Sequence, residues 1–372
     1  MYLAGLWLTD FRCYQQTELQ FPAGITVICG ANAQGKTSLL EAAAWAATGK
    51  SFRGVPDAAL VREGAETAVV RAEVVDGDRV QLLEAEIRAI GRNRVQLNRH
   101  ALKRARDRVE LMRVTVFSPD DLQLVKGGPA RRREYLDDLL VVLSPRYEAA
   151  RADYERVLRQ RNALLRSRVH DPAADTTLAV FDEQLARAGA ELARGRVRLL
   201  ERLVHTVASA YEELAGMGTP IATSYQADWS AGEGLRALDP DDDLEALLLV
   251  ALRSRHRAER ERGVTLSGPH RDELRLLVGG LESRTHASQG EQRTLALALR
   301  LGGHRLCAEL TGSPPVLLLD DVFSELDEQR AVALVAHLDA GQTLVTTAGS
   351  VPAGITPTRT LRVTAGRVEE AA

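Results

Sequence analysis

The chain has 372 residues, 45% of them hydrophobic and 27% charged, and a formal net charge of −3. This length permits about one to three domains with a sizeable core. The slightly acidic balance excludes an all-over basic coat, so any nucleic-acid contact must come from local patches. The sequence has no apolar run near the roughly 20 residues of a membrane span, no signal-peptide pattern, and no disulfide or metal spacing among its three cysteines. We therefore expect a cytoplasmic protein with reduced cysteines.

The first third of the chain predicts mostly β-structure around one loop. Strands are expected at Tyr2–Thr9, Thr17–Phe21, Ile25–Cys29, Ala68–Val75, Val80–Ile87, Val95–Asn98 and Val114–Phe117. The short turn at Val75–Asp78 favours a hairpin between two of them.

The loop after the third strand has the Walker A pattern. It reads Gly30-Ala31-Asn32-Ala33-Gln34-Gly35-Lys36-Thr37 and is followed by Ser38 and by the helical run Leu39–Ala46. Such glycines let backbone N–H groups close around phosphate oxygens, and the helix N-terminus adds partial positive charge. We predict that residues 30–38 bind ATP, that Lys36 reaches the β- and γ-phosphates, and that Thr37 ligates Mg²⁺.

The middle of the chain predicts a helical arm. Two patterns with apolar residues three or four positions apart contain, respectively, Leu143, Tyr147, Ala150, Tyr154 and Val157, and Leu178, Phe181, Leu185, Ala188, Leu192, Gly195 and Leu199. The stretch His170–Asp175 separates them. The pattern is typical of an antiparallel helical hairpin with a shared apolar seam, each helix about 40 residues or roughly 60 Å long.

The last third returns to alternating helices and strands. Helices are expected at Asp242–Glu261, Arg293–Leu310 and Glu328–Leu338, with strands at Thr265–Leu266, Leu274–Val278, Val316–Leu319, Thr343–Thr347 and Arg359–Val363.

Three further motifs in this part resemble those of ABC-type ATPases. The strand ending in Asp320 and Asp321 is a Walker B pattern, in which Asp320 would hold Mg²⁺ through water and Asp321 would polarise the attacking water. Ser288-Gln289-Gly290-Glu291-Gln292, at a helix start, resembles the signature motif, and Ser324-Glu325-Leu326-Asp327 resembles the D-loop. The resemblance implies that Ser288, Gln289 and Gly290 act in trans on the nucleotide of a second subunit.

The spacing of these motifs predicts the architecture. Ser288 follows Lys36 by 252 positions, an insertion intermediate in length between those of transporter ATPases and of chromosome-structuring SMC proteins. We predict an α/β, ABC-type ATPase head with a phosphate-binding loop, a mixed sheet with helices, and an inserted antiparallel helical-hairpin arm. Residues 1–128 and 241–372 would form two lobes of one head, and residues 129–240 the arm.

The whole chain resembles the RecF family of bacterial recombination and repair proteins. The resemblance is carried by Leu8–Tyr14, Thr48–Arg53, Phe117–Leu122, Lys126–Pro129, Arg131–Arg133, Tyr135–Asp137 and Ser267–Asp272. It implies a weak, Mg²⁺-dependent ATPase that dimerises on ATP and binds DNA at gaps or single-strand/double-strand junctions. It also implies action with RecR and RecO in loading RecA, within replication-linked recombinational repair and the SOS response.

Several residues carry open alternatives. Asp321 stands where the ABC pattern usually has Glu, which favours a slow switch, and Thr347 or Ala348 replaces the usual switch histidine. The Q-loop candidates are Gln123, Asp120 and Asp121. Arg12 and Arg53 either contact the nucleotide or are exposed loop arginines. Arg131, Arg132 and Arg133 either contact DNA or form a solvated face, and His270 is either paired internally or at a dimer interface.

The main alternative function is a subunit of another ABC-type machine, for transport or chromosome structuring. ATP-stimulated binding to duplex or gapped DNA distinguishes the two.

Overall fold

The computed structural model describes residues 1–102, 108, 111–167, 172–216, 218–230, 236–338 and 341–371. The strands are β1 (Tyr2–Phe11), β2 (Tyr14–Gln20), β3 (Ile25–Cys29), β4 (Thr67–Asp76), β5 (Arg79–Arg88), β6 (Arg94–Leu97), β7 (His100–Ala101), β8 (Val114–Phe117), β9 (Ile221–Ala227), β10 (Arg236–Ala237), β11 (Glu273–Val278), β12 (Leu281–Glu282), β13 (Val316–Asp320), β14 (Thr343–Thr347), β15 (Arg359–Thr364) and β16 (Arg367–Glu370). The α-helices are α1 (Lys36–Thr48), α2 (Leu122–Lys126), α3 (Pro129–Leu143), α4 (Arg146–Arg166), α5 (Pro172–Ala215), α6 (Leu244–Ser254), α7 (His256–Arg262), α8 (Ser283–His286), α9 (Gln289–Thr311) and α10 (Glu328–Val335).

The chain divides into two compact units. Unit 1 contains Met1–Asp121, Glu213–Gly216 and Leu297–Ala372, and unit 2 contains Leu122–Glu212 and Met217–Ala296. The three predicted segments 1–128, 129–240 and 241–372 stay a prediction about domains.

Unit 1 contains two six-stranded sheets. One is antiparallel in the order β2-β1-β4-β5-β6-β7, and the other has the order β16-β15-β3-β14-β13-β8. In the second sheet β15, β3, β14, β13 and β8 are parallel, and β16 pairs antiparallel with β15. Because β14 lies between β3 and β13, the carboxyl ends of the Walker A and Walker B strands meet at one edge, where ligands bind in open α/β sheets.

Helix α1 lies in the core of unit 1. Leu39, Leu40 and Trp45 are at most 1% exposed and belong to one apolar cluster with side chains of both sheets. A helix that is apolar on nearly every side is stable only when it is buried on nearly every side. This burial fixes the start of α1, and with it the phosphate-binding loop, in the unit.

Unit 2 contains the helical hairpin. Added Cβ atoms at Gly195 and Gly189 on α5 would lie 2.4 Å from Tyr147 and 3.1 Å from Tyr154 on α4, so both glycines permit close packing of a tyrosine. Further along α4, Arg161 contacts Asp182 on α5. Residues later in α4 therefore contact residues earlier in α5, which confirms the predicted antiparallel hairpin.

A buried ion cluster joins this hairpin to α7. Arg161 donates to Asp182 Oδ1 at 2.8 Å, Glu259 Oε2 at 2.6 Å and Thr265 Oγ1 at 2.8 Å. All three charged side chains are 0% exposed. His256 Nε2 lies 2.6 Å from the second Asp182 oxygen. The guanidinium therefore compensates two carboxylates that water does not reach.

We expect Arg161→Met to lower the free energy of unfolding by about 3–5 kcal/mol, because it leaves Asp182 and Glu259 buried without their cation. Urea denaturation measures the change. The control is Arg159→Met, whose arginine is 71% exposed on the same helix and whose loss should cost less than about 1 kcal/mol. Equal stabilities of the two variants would contradict a compensating role for Arg161.

The structure corrects several predicted elements. The first arm helix is α4, with 21 residues rather than about 40, because Ser144 and Pro145 separate it from α3. The second is α5, with 44 residues. Of the predicted break at His170–Asp175, residues 170–171 lie outside the described residues and residues 172–175 already belong to α5.

Two other differences lie in the last third. The single helix predicted at Asp242–Glu261 is two helices, α6 and α7, broken at Arg255, whose guanidinium contacts Asp228. Thr265–Leu266 is not a strand, because its backbone N–H groups donate to the side chains of Asn162 and Glu259 instead of a β-ladder. Strand β9, which pairs with β11 and β10 in unit 2, was not predicted.

Within the described part of the chain, no helix combines the length and apolar character needed to cross a membrane.

Candidate nucleotide site

Both glycines of the phosphate-binding loop are required by close contacts. An added Cβ at Gly30 would lie 2.4 Å from the Val363 carbonyl oxygen, and one at Gly35 would lie 2.7 Å from Cys13 Sγ. Gly35 also has a φ of 116°, a left-handed conformation that disfavours a side chain. The loop is therefore held between the N-terminal turn and β15 in a shape that only glycine permits.

Lys36 is the first residue of α1 and is only 6% exposed. Its Nζ donates to the Gly30 and Ala31 carbonyl oxygens, each at 2.8 Å. Gln34 links the loop to the turn after β15, because its Oε1 accepts a hydrogen bond from Ala365 N at 2.6 Å. The lysine charge thus lies inside the loop beside the N-terminus of α1, an arrangement that attracts an anion.

Thr37 and Asp320 lie together, as a shared metal site requires. Thr37 Oγ1 and Thr346 Oγ1 both donate to Asp320 Oδ1 at 2.8 Å. Burial raises the pKa of Asp320, and the two hydroxyl groups oppose that shift. A hydroxyl and a carboxylate at the mouth of the phosphate loop are the hard oxygen donors that Mg²⁺ prefers, so the residues present fit this ion.

Asp321 follows β13 in a left-handed conformation with a φ of 51°. Its backbone N donates to Thr346 Oγ1 at 3.0 Å, and its carbonyl oxygen accepts from Ser324 Oγ at 2.7 Å. Aspartate tolerates this conformation better than most residues. The predicted D-loop continues to Asp327, which accepts from Arg330 N and so caps α10.

Arg12 does not match the alternative of an exposed loop arginine. Its guanidinium donates to both oxygens of Glu41 at 2.8 Å and to the Ala59 carbonyl oxygen at 2.8 Å. Glu41, on α1, is 0% exposed and also accepts a short hydrogen bond from Ser51. Arg12 therefore holds the N-terminal turn against α1, and its nucleotide contact stays a prediction.

Arg53 is exposed, and its charge is close enough to Asp320 to oppose the rise in that carboxyl's pKa.

Asp121, one Q-loop candidate, is 6% exposed and is held by Arg300 and the Ser118 N–H. The Asp121 side chain therefore stabilises the turn that follows β8. The other two candidates, Asp120 and Gln123, are both exposed.

The signature residues belong to unit 2 and the Walker residues to unit 1. Ser288 and Glu291 form a capping box at the start of α9: Ser288 N and Oγ donate to Glu291 Oε2 at 2.7 Å, and Glu291 N donates back to Ser288 Oγ at 3.3 Å. Buried Gln292 donates to the Ser283 carbonyl oxygen and anchors this turn. Ser288 and Gln289 are exposed, and Gly290 is partly exposed, so the N-terminus of α9 faces solvent.

Of the arginine cluster at the start of α3, only Arg131 is mostly exposed. Its side chain is 58% exposed beside Glu134. Arg132 is 8% exposed, pairs with Glu273 and donates to the Gly127 carbonyl oxygen beyond the end of α2. Arg133 donates to the Asp272 carbonyl oxygen, and burial lowers its pKa. The burial and pairing of Arg132 disfavour a phosphate contact by that residue, whereas DNA contacts by Arg131 and Arg133 stay a prediction.

His270 is paired internally. Its Nδ1 lies 2.6 Å from the Tyr154 hydroxyl on α4, and burial lowers its pKa to about 4. The imidazole is therefore neutral at pH 7.

The sequence did not single out Thr346 or Glu41, although both organise the site. Thr346 lies on the strand between the two Walker strands, and three threonines in that buried strand were a usable signal. Glu41 is the single acidic residue in the helix and is flanked by the apolar run that follows Ser38, a position that demands a buried cation.

Comparison with known proteins agrees with this geometry. Residues 2–350 match the family described as RecF/RecN/SMC N terminal domain. The DNA replication and repair protein RecF of Acidothermus cellulolyticus is 44% identical over 355 residues, which cover 95% of each chain. A solved structure of the recombination mediator protein RecF-ATP in the RecFOR pathway superposes with a TM-score of 0.92 at 31% identity, covering 100% of this chain and 98% of that one. An Smc head domain derived from Pyrococcus furiosus shares the fold, with a TM-score of 0.57 at 15% identity. The ABC-type head with an inserted helical arm is thus confirmed, and the chain belongs to the RecF family.

Proposed function

We propose that the protein is an ATP-dependent recombination mediator that binds DNA at gaps or single-strand/double-strand junctions. The observation that carries the proposal is the meeting of Thr37 and Asp320 at the mouth of a glycine loop that encloses Lys36. Family membership and the similarity to RecF-ATP, over the full chain, support ATP as the nucleotide.

At this site the chain's own groups bind and orient the triphosphate. Loop N–H groups and the α1 N-terminus receive the phosphates, and Lys36 supplies charge to the β- and γ-phosphates. Mg²⁺, held by Thr37 and by Asp320 through water, would neutralise developing charge. Asp321 orients the attacking water. Its side chain is one methylene shorter than the usual Glu, which favours slow hydrolysis and a switching role.

Hydrolysis would require two copies of the chain. The exposed N-terminus of α9 offers Ser288, Gln289 and Gly290 to the γ-phosphate bound by a second copy, so ATP would join two subunits as a homodimer. By family resemblance that dimer would hold DNA in the cytoplasm and act with RecR and RecO in RecA loading, in replication-linked repair and the SOS response.

A filter-binding assay tests the proposal. We expect tight binding to gapped DNA with ATP, weaker binding to uninterrupted duplex and to single strands, and a marked loss of binding without ATP. Affinity should fall steeply with salt and depend little on base sequence, since backbone contacts dominate such complexes. DNA binding that is absent, or identical with and without ATP, would instead favour a subunit of another ABC-type machine.

A further inference from the structure

The segment from Arg88 to Arg108 concentrates positive charge in an otherwise acidic chain. It contains eight Lys or Arg residues and one acidic residue, Asp107, whereas the whole chain has a net charge of −3. Its described part, 88–102 and 108, includes β6 and β7 at the edge of the antiparallel sheet of unit 1. Three of these basic residues, Arg92, Arg94 and Arg99, lie along or beside this edge.

The arginines of this edge have no internal task. Arg92, Arg94 and Arg99 are exposed, and none has an ion pair among the residues that the structure describes. The acidic residue opposite Arg94 in the ladder, Glu86, pairs with Arg88 instead. Elsewhere on the same sheet, Arg71 is paired with Glu84. The edge arginines thus differ from Arg71 and Arg88 of the same sheet, both of which are paired.

Arg99 occupies a position that favours glycine. β6 and β7 are joined by the two-residue turn Asn98-Arg99, with φ values of 49° and 66°. Turns of this kind prefer Asn followed by Gly, because left-handed backbone is strained for other side chains. An exposed arginine at the glycine position therefore costs folding energy and gains no internal contact among the described residues, which points to a role in binding.

The neighbouring loop is fixed in place and presents an apolar tip. Asn93 accepts from Arg88 N at 3.0 Å and donates to Asp57 at 2.6 Å, and Asp57 in turn accepts from Trp45 Nε1 of α1 at 3.0 Å. At the tip of this loop Ile90 is 92% exposed, more than any other large hydrophobic side chain described. The loop is therefore held on the core while Ile90 projects into solvent.

We infer that this sheet edge binds the phosphate backbone of DNA through Arg92, Arg94 and Arg99, with Ile90 packed against an exposed base at a junction. Unpaired arginines form charge-assisted hydrogen bonds with phosphates, and apolar tips such as Ile contact bases where stacking is interrupted. The inference rests on the proposed function and adds the DNA surface to it. The surface is distinct from the Arg131 cluster in unit 2.

Arg99→Gly separates binding from folding. Because glycine suits the turn, this variant should keep or raise its melting temperature while its DNA affinity falls, and the slope of log affinity against log salt should become less negative by about 0.9 on duplex DNA. A structural role would instead lower the melting temperature and leave the slope unchanged. That result would overturn the inference.

The triple variant Arg92→Gln, Arg94→Gln, Arg99→Gln tests the whole edge. Its salt slope should become less negative by up to about 2.7, with ATP binding retained. The matched control changes three exposed arginines of unit 2, Arg187, Arg198 and Arg257, to Gln and should keep the parent slope. Ile90→Ser should lose the preference for gapped over uninterrupted DNA, whereas Val250→Ser, at a residue 67% exposed, should retain it.

The outcomes distinguish a failure of the proposed function from a failure of the inferred DNA surface. If the parent protein does not bind DNA with ATP, the proposed function fails. If the parent binds but the triple variant keeps its salt slope, the surface inference alone fails. Loss of RecR or RecO binding by the triple variant, with DNA affinity unchanged, would identify the edge as a protein interface and also overturn the inference.

Discussion

Replacing Lys36 by Met is expected to abolish ATP hydrolysis and ATP-driven dimerisation together. The lysine is 6% exposed and its ammonium lies inside the phosphate loop. Hydrogen bonds to charged groups contribute about 1.5–3 kcal/mol, so ATP affinity should fall roughly 10- to 150-fold. Calorimetric titration with ATP and a phosphate-release assay measure the two effects.

Asp321→Asn is the matched variant at the same site. The proposed role of Asp321 is only to orient the attacking water, so the variant should bind ATP with the parent affinity and still dimerise. Its turnover should fall by about 10²–10⁴-fold, the usual contribution of a general base, and its complex with DNA should last longer. Hydrolysis at the parent rate would show that another residue polarises the water. Parent-like hydrolysis by Lys36→Met would remove Lys36 from the phosphate site.

Ser288→Arg should leave ATP binding to the single chain nearly intact while dimerisation and hydrolysis are lost. The serine caps an exposed helix N-terminus, where a large cation would prevent the approach of a second subunit's γ-phosphate. Loss of the capping hydroxyl costs only about 1 kcal/mol, so the unit should remain folded. Sedimentation velocity with and without ATP measures the dimer.

The control for this variant is Ser254→Arg, which places the same charge at another exposed serine of unit 2. It should dimerise on ATP like the parent. An unaltered ATP-dependent dimer for Ser288→Arg would exclude the N-terminus of α9 from the subunit interface. Loss of the dimer in both variants would show that added charge, rather than its position, is responsible.

The elements whose signals are contiguous could be predicted from the amino-acid sequence. The strands at Val114–Phe117 and Thr343–Thr347 have the predicted bounds, and the glycine loop lies between strand and helix as expected. Such segments carry their own apolar runs, turn residues and helix starts, so neighbours in the chain suffice to define them. The antiparallel arm was predicted in the same way from its apolar spacing. The length of its first helix was not, because Ser144 and Pro145 separate α3 from α4.

Contacts between polar groups that are distant in the chain depend on the folded structure. Thr346 reaches Asp320 because β14 pairs with β13, and Arg132 is buried because Glu273 lies beside it. Neither contact leaves a local pattern. Likewise, eight basic residues in 88–108 are visible in the sequence, but the sequence does not show which of them lie next to an acidic residue. Glu86 lies opposite Arg94 in the sheet but pairs with Arg88 on its own strand, and Arg92, Arg94 and Arg99 are left exposed. Which of these charges remain unpaired is therefore decided by the contacts of the folded sheet.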